Sequence, residues 1–281
     1  MRMKKLTLVI VSLSIGLSVL GQDKPAGIWE KSLVGNLNLT QTAFDNWTSG
    51  GENSFAWQLN INYKFVKDLT KYNWANTGKL SYGNTKTGDG AILKSVDEIK
   101  LESIVSYKLG TAVNPYVAID AESQLAKGYD YTITPTEEVS AFLDPAYFRE
   151  SIGAGMSVRK GITTRLGAAL KQTVTSNYPV PYADDPATPE IETLRSEIGV
   201  DSVTDINLQF SKTSQYVAKL ELFSNLHALD EIDVNFDNIL SVNISEYIST
   251  NFNLKIVYDK DVSTKRQIKQ SIALGISYTF V

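Results

Sequence analysis

The side chains best placed to do chemistry in this sequence are charged groups that recur within strongly alternating segments. Lys79, Glu98, Lys100, Glu102, Asp120, Glu122, Arg149, Arg165, Lys171, Arg195, Glu197, Lys255 and Lys269 each share the parity of Ser, Thr, Asn, Gln and Gly neighbours. Arg159, Asp201, Asp205, Lys219 and Glu221 follow the same rule. Charges of both signs on one face of a sheet are tolerable where that face is wet or where they pair across an enclosed space. Two uses follow. The face can line a hydrophilic pore and set its selectivity, or it can brace an interior with no useful opening.

Other groups offer weaker chemistry. Ser224-Asn-Leu-His227 brings a hydroxyl and an imidazole near one another, the beginning of a nucleophile–base pair for a barrel-embedded lipid hydrolase. A continuing strand puts the two on opposite faces, so the expectation is an exposed loop histidine and no enzyme. His227 is the sole histidine and cysteine is absent, which argues against a transition-metal site. Glu137-Glu138, Asp184-Asp185 and Asp230-Glu231 with Asp233 are acidic clusters without the spacing of a calcium loop, and read as solvated loop charge. No cofactor is expected. Asn46-Trp47-Thr-Ser-Gly50-Gly51 could fold inward as a plug; the plainer reading is a structural hairpin loop with Trp47 anchored in the outer interface.

The elements that must position these residues are strands almost throughout. From Ser54 to Phe65, Phe55, Trp57, Leu59, Ile61, Tyr63 and Phe65 share one parity, and Ser54, Ala56, Gln58, Asn60, Asn62 and Lys64 the other. Ile268, Ile272, Leu274, Ile276, Tyr278 and Phe280 repeat the pattern in the last strand. Between residues 192 and 211, Leu194, Ile198, Val200, Ile206, Leu208 and Phe210 keep even parity through Asp201-Ser202, so one long strand is predicted there. That makes twelve strands, an even number that closes a single-chain barrel.

Connections at 66–70, 109–113, 160–162, 211–214 and 245–248 are short; those at 42–53, 84–93, 126–146, 175–191, 226–232 and 259–265 are mostly longer and alternate with them. Short periplasmic turns and longer external loops are the outer-membrane pattern. Aromatics gather where strands should meet the periplasmic interface, at Tyr63, Phe65, Tyr72, Trp74, Tyr107, Phe210, Tyr216, Tyr247, Tyr278 and Phe280. The fold expected is all-β, an antiparallel transmembrane β-barrel of about 12 strands.

Met1-Arg-Met-Lys-Lys5 followed by apolar Leu6 to Leu20 reads as a signal peptide over residues 1–21, leaving residues 22–281 as the barrel. Loss of Arg2, Lys4 and Lys5 takes the formal charge from −4 to −7. A mildly acidic chain without a basic stripe is a poor nucleic-acid binder. The location expected is the cell outer membrane, with membrane lipid, periplasmic chaperones and the barrel-assembly machinery as partners.

Several stretches resemble a family of uncharacterised outer-membrane barrels of Bacteroidetes, a domain of unknown function. Asn46-Trp47 with Gly50-Gly51-Glu52-Asn53-Ser54 is similar to its hallmark. Lys94-Ser-Val-Asp97, Ser123-Gln124 with Gly128-Tyr129, and Phe142-Leu-Asp-Pro-Ala-Tyr147 resemble further motifs, with Leu125 where an aromatic is expected. The resemblance implies fold and location and brings no catalytic residues. The function expected is a passive channel for small hydrophilic solutes, with a non-conducting structural or surface-binding barrel as the alternative.

Overall fold

The computed structural model describes residues 27–46, 48–180, 182–185, 188–228 and 232–280. The expected signal peptide, Trp47 and the Asp230-Glu231 pair lie outside them. Strands β1 (Trp29–Thr42), β2 (Ser54–Asp68), β3 (Tyr72–Thr87), β4 (Leu93–Tyr107) and β5 (Val113–Ser123) run as an antiparallel meander. A small hairpin, β6 (Gly128–Asp130) with β7 (Glu137–Ser140), stands apart in the next loop. The meander resumes with β8 (Ala146–Arg159), β9 (Ile162–Val174), β10 (Leu194–Gln209) and β11 (Ser214–Asn225), then β12 (Ile232–Asn243), β13 (Ile248–Asp259) and β14 (Ser263–Thr279). β14 pairs with β1, so twelve strands close into one barrel with β5 directly beside β8.

The even count and the single long strand through Asp201-Ser202 stand as predicted. Two differences are physical. The hairpin β6–β7 falls inside the connection expected at 126–146, because three- and four-residue strands carry too few alternations to register as a period. The strands also extend further than their apolar cores, so the connections at 88–92 and 260–262 are tight turns. Length alternation thus rests mainly on the loops 43–53, 124–145 and 175–193.

Burial is inverted relative to a soluble sandwich. Ile152, Leu166, Ile198, Ile272 and Leu274 point outward and are exposed, Ile272 at 76%. Asp120, Arg165, Glu197, Asp201 and Glu221 are buried, Asp201 at 0%. Such a surface is stable where the outside is hydrocarbon, and a closed ladder is the sheet that leaves no edge there. Polar side chains on the outer face are capped locally: Trp74 Nε1 donates to Ser103 Oγ at 3.0 Å, and the Tyr216 hydroxyl donates to Asn238 Oδ1 at 2.5 Å. At the short-turn end the expected aromatic belt forms pairs, Tyr63–Phe65, Tyr72–Tyr107, Phe210–Tyr216 and Tyr278–Phe280, with ring centroids 4.8–6.1 Å apart. The chain is a twelve-stranded barrel of the outer-membrane type.

Candidate functional site: the braced lumen and its external mouth

Strand register puts all thirteen predicted lining residues on the inward parity; ion pairs bring twelve of them together in the lumen, mostly between distant strands, while Lys269 donates to the Ser95 carbonyl. On the β4 wall, Glu98, Lys100 and Glu102 stand at successive inward positions. Lys100 reaches across to Glu221 of β11 at 2.5 Å, and Arg149 of β8 holds the other oxygen of that carboxylate at 2.7 Å. Glu102 receives Arg165 of β9 and Lys219 of β11, each at 2.6 Å. Glu98 takes Lys255 of β13 at 2.7 Å and Lys79 of β3 at 2.9 Å, while Lys79 also meets Asp237 of β12 at 2.5 Å. Nearer the external end Lys171 joins Asp233, Asp259 and Glu197 at 2.6, 3.0 and 3.5 Å. Arg195 pairs with Asp261 and lies 3.6 Å from Glu197. Glu122 is 3.5 Å from Lys100 and 3.7 Å from Lys255.

The deepest level lies under Tyr116. Gly167 leaves room for this ring, since a Cβ there would stand 2.5 Å from the Tyr116 hydroxyl. The hydroxyl reaches Asp201 at 3.3 Å, and Arg149 is 3.9 Å from Asp201 and 3.5 Å from Asp120. Low dielectric strengthens these attractions, and the same low dielectric makes each charge expensive without its partner. Asp233, Asp237 and Asp259 escaped sequence reasoning as lining groups; their parity in β12 and β13 was the signal available.

The other sequence candidates fall outside this network. Ser224 has the outward parity of β11, and His227 is exposed on the following turn, its amide donating to Asn225 Oδ1 at 2.9 Å. The structure does not bring them together as a pair. Asn46, Gly50 and Gly51 all have positive φ, at 53°, 81° and 135°. Gly51 also lies under the Phe44 ring, where a Cβ would come within 2.6 Å. The Phe44 amide donates to Asn53 Oδ1 at 2.7 Å, and the Gly88 amide to the Asn53 carbonyl at 2.7 Å. The described residues of this segment therefore form a turn tied to the β3–β4 connection.

The remaining motifs build the external mouth as a succession of latches. Asp97 accepts the amides of Leu125 and Ala126 at 2.7 and 2.9 Å, and Lys94 bridges Asp97 at 2.7 Å to the Ala126 carbonyl at 2.9 Å. Gln124 donates to the Ala141 carbonyl at 2.9 Å, and Ser123 donates to the Pro145 carbonyl at 3.0 Å. Asp144 accepts the amides of Ser176 and Asn177 at 2.8 and 2.7 Å, which fastens the 175–193 loop to the 124–145 loop. Burial opposes ionisation of Asp144, yet the amides of Asn177 and Ser176 outweigh it and hold its carboxyl below the ordinary value. Tyr178 donates to Glu138, which also pairs with Lys127 at 2.9 Å. The Tyr178 hydrogen bond, then Lys127, hold the Glu138 carboxyl low.

Under these loops lies a cavity of about 420 Å³. It spans the lumen from β4 and β5 to β13 and β14, with Glu98, Glu122, Lys255 and Lys269 among its lining and Tyr147 and Tyr182 beside them. A volume of this size is in the range of small-ligand sites.

Comparison with curated proteins brings out no match. Among solved structures, the translocator domain of autotransporter NalP from Neisseria meningitidis is similar at 10% identity, over 91% of this chain and 89% of that one, with TM-score 0.40. An outer membrane channel from Pseudomonas putida F1 is similar at 11% identity, over 92% and 96%, with TM-score 0.40. The CymD monoaromatic hydrocarbon channel is similar at 9% identity, over 90% and 88%, with TM-score 0.33. Residues 39–129, which hold the Asn46–Ser54 loop and the Lys94–Asp97 and Ser123–Tyr129 latches, match the family described as "Protein of unknown function (DUF3078)".

Proposed function

We propose that this chain resides in the outer membrane as a barrel closed at rest, acting through its external mouth as a surface-binding protein. The supporting observation is the ion-pair lattice itself. Glu221 and Glu102 are buried, and each is held by two cations from other walls, so the middle of the lumen is filled by groups neutralising one another. An ion crossing that level has to displace buried pairs, a costly exchange in low dielectric. No catalytic activity is assigned. During biogenesis its partners are periplasmic chaperones and the barrel-assembly machinery, and afterwards outer-membrane lipid.

The test is conductance of the purified full chain in a planar bilayer at neutral pH. The expected result is a silent membrane. Stepwise, voltage-tolerant conductance would overturn the proposal in favour of the passive channel for small hydrophilic solutes. One observation favours that second reading: the inward face is polar along nearly its whole length, from Asn36 and Asn60 through the charges to Asp259. On it, Lys79, Lys100, Arg149, Lys171 and Lys255 with their carboxylates set the selectivity.

A further inference from the structure

The external cavity has charged groups of two kinds. Asp97 is committed to Lys94, Glu98 to Lys79 and Lys255, and Glu122 to Lys100 and Lys255. Lys269 differs. Its ammonium donates to the Ser95 carbonyl at 3.0 Å and, among the described residues, meets no carboxylate within 4.0 Å. An ammonium has three donors, so Lys269 keeps donors and a full charge for an anion inside a lined cavity. The remaining lining mixes neutral polar groups, Ser123, Gln124, Ser140 and Gln267, with apolar and aromatic ones such as Val96, Tyr147, Tyr182, Val257 and Ile268.

The same cavity is walled on one side by β14, whose pairing with β1 is incomplete. β14 pairs with β1 over Thr279 to Gly275, opposite Val34 to Asn38. Past that point β1 continues to Thr42 on β2, and β14 continues to Ser263 on β13, with no pairing between these two stretches. At membrane depth an unpaired strand edge is tolerated where it borders protein or a cavity, not where it faces lipid alone. Ile268 has the outward parity of β14 and nevertheless borders the cavity. Leu39, Ile272 and Leu274 stand exposed along the outer side of the same seam. The unpaired seam therefore adjoins the cavity on its β14 side, at Ile268, and its outer face carries the apolar side chains of Leu39, Ile272 and Leu274.

The geometry points to a ligand: a single-chain amphiphile with one carboxylate or phosphate, taken from the outer leaflet, its headgroup on Lys269 and its chain through the β1–β14 seam. This rests on the reading of the external mouth as the working part. A neutral chain lacks the partner Lys269 requires, and a small anion has no use for the seam.

The test uses the full chain in lipid nanodiscs, with decanoate as probe and decanol and acetate as controls. Lys269→Gln is expected to weaken decanoate about tenfold, the worth of one charge-assisted hydrogen bond, and to leave decanol unchanged. Since the chain has no cysteine, Leu39→Cys with Leu274→Cys introduces a single disulfide across the seam. Once oxidised it is expected to weaken decanoate about tenfold and spare acetate, with recovery on reduction. Decanoate binding indifferent to Lys269, or unchanged in the sealed barrel, would overturn the inference. Conductance of the same preparations separates it from the closed-barrel reading. A conducting barrel whose decanoate binding needs Lys269 and an open seam sinks only the latter. A silent barrel without decanoate binding sinks only the former.

Discussion

The centre of the lumen and the external cavity are lined by the same residue types, yet the cavity keeps one cation, Lys269, outside the pairing that engages the rest. In the centre, Lys100, Arg149, Arg165 and Lys219 share the carboxylates of Glu102 and Glu221 between walls. In the cavity, Lys269 sits one inward position from Gln267 and faces a backbone carbonyl. The first arrangement spends its electrostatics on closure. The second leaves an unsatisfied cation where a ligand can arrive. Residue composition alone therefore does not distinguish a lining that fills a barrel from one that receives a solute; partner geometry does.

The comparison breaks most visibly at Glu221. Glu221→Ala takes from Lys100 and Arg149 their nearest carboxylate, and Asn235, which donates to it at 2.9 Å, loses that acceptor as well. Removing one member of a buried ionic cluster costs about 3–5 kcal/mol. The unfolding midpoint in urea, read by gel migration of unheated samples, should fall accordingly. A midpoint equal to that of the parent chain would mean that the lumen is solvated enough for its charges to be independent.

A smaller and local effect is expected at Asp144. Asp144→Ala leaves the amides of Ser176 and Asn177 without their acceptor, at about 1–3 kcal/mol for donors left unsatisfied. Limited proteolysis should cut the 175–193 loop faster while the barrel keeps its heat-dependent migration. If the whole barrel loses stability instead, the loops are part of its core and not a latched cover.

The same latch has a pH signature whose sign is fixed. The folded carboxyl of Asp144 titrates below its ordinary value of 3.8. Its contribution is therefore fully present above 3.8 and disappears as pH falls through the lower folded value. Protease protection of the loop should persist at pH 5 and fail only below 3.8. Release at pH 6 would assign the latch to another group.

How much of this was legible beforehand divides along period and partnership. Phe55 to Phe65 and Ile268 to Phe280 announce strands because every second side chain must face lipid. The parity of Leu194 to Phe210 decides the strand count for the same reason. The lining followed from the other parity. What could not be read is which charges meet: Lys79 with Asp237, or Lys255 with Glu98, are more than 150 residues apart and depend on barrel closure. The latches were equally hidden, since Asp97 and Asp144 work through backbone amides 28 to 33 residues away. His227 draws attention by chemistry alone, and among the described residues the fold ties down its backbone amide, on Asn225, and pairs its imidazole with no catalytic group.

The smallest expected effect sharpens the comparison most. Lys269→Gln removes a positive charge from the same barrel as a change at Lys100 does, but no carboxylate among the described residues depends on it. Its effect on the unfolding midpoint should stay within about 0.5 kcal/mol, as for substitutions without a paired partner. Lys100→Gln, by contrast, strips a cation that lies 2.5 Å from Glu221 and 3.5 Å from Glu122, and belongs with the large losses. Measured side by side in urea, the two variants hold residue type and charge change constant and vary only partnership. Equal losses would show that the cavity lysine is a brace like the others. A large loss at Lys100 with none at Lys269 marks the level at which the barrel stops supporting itself and begins to offer a site.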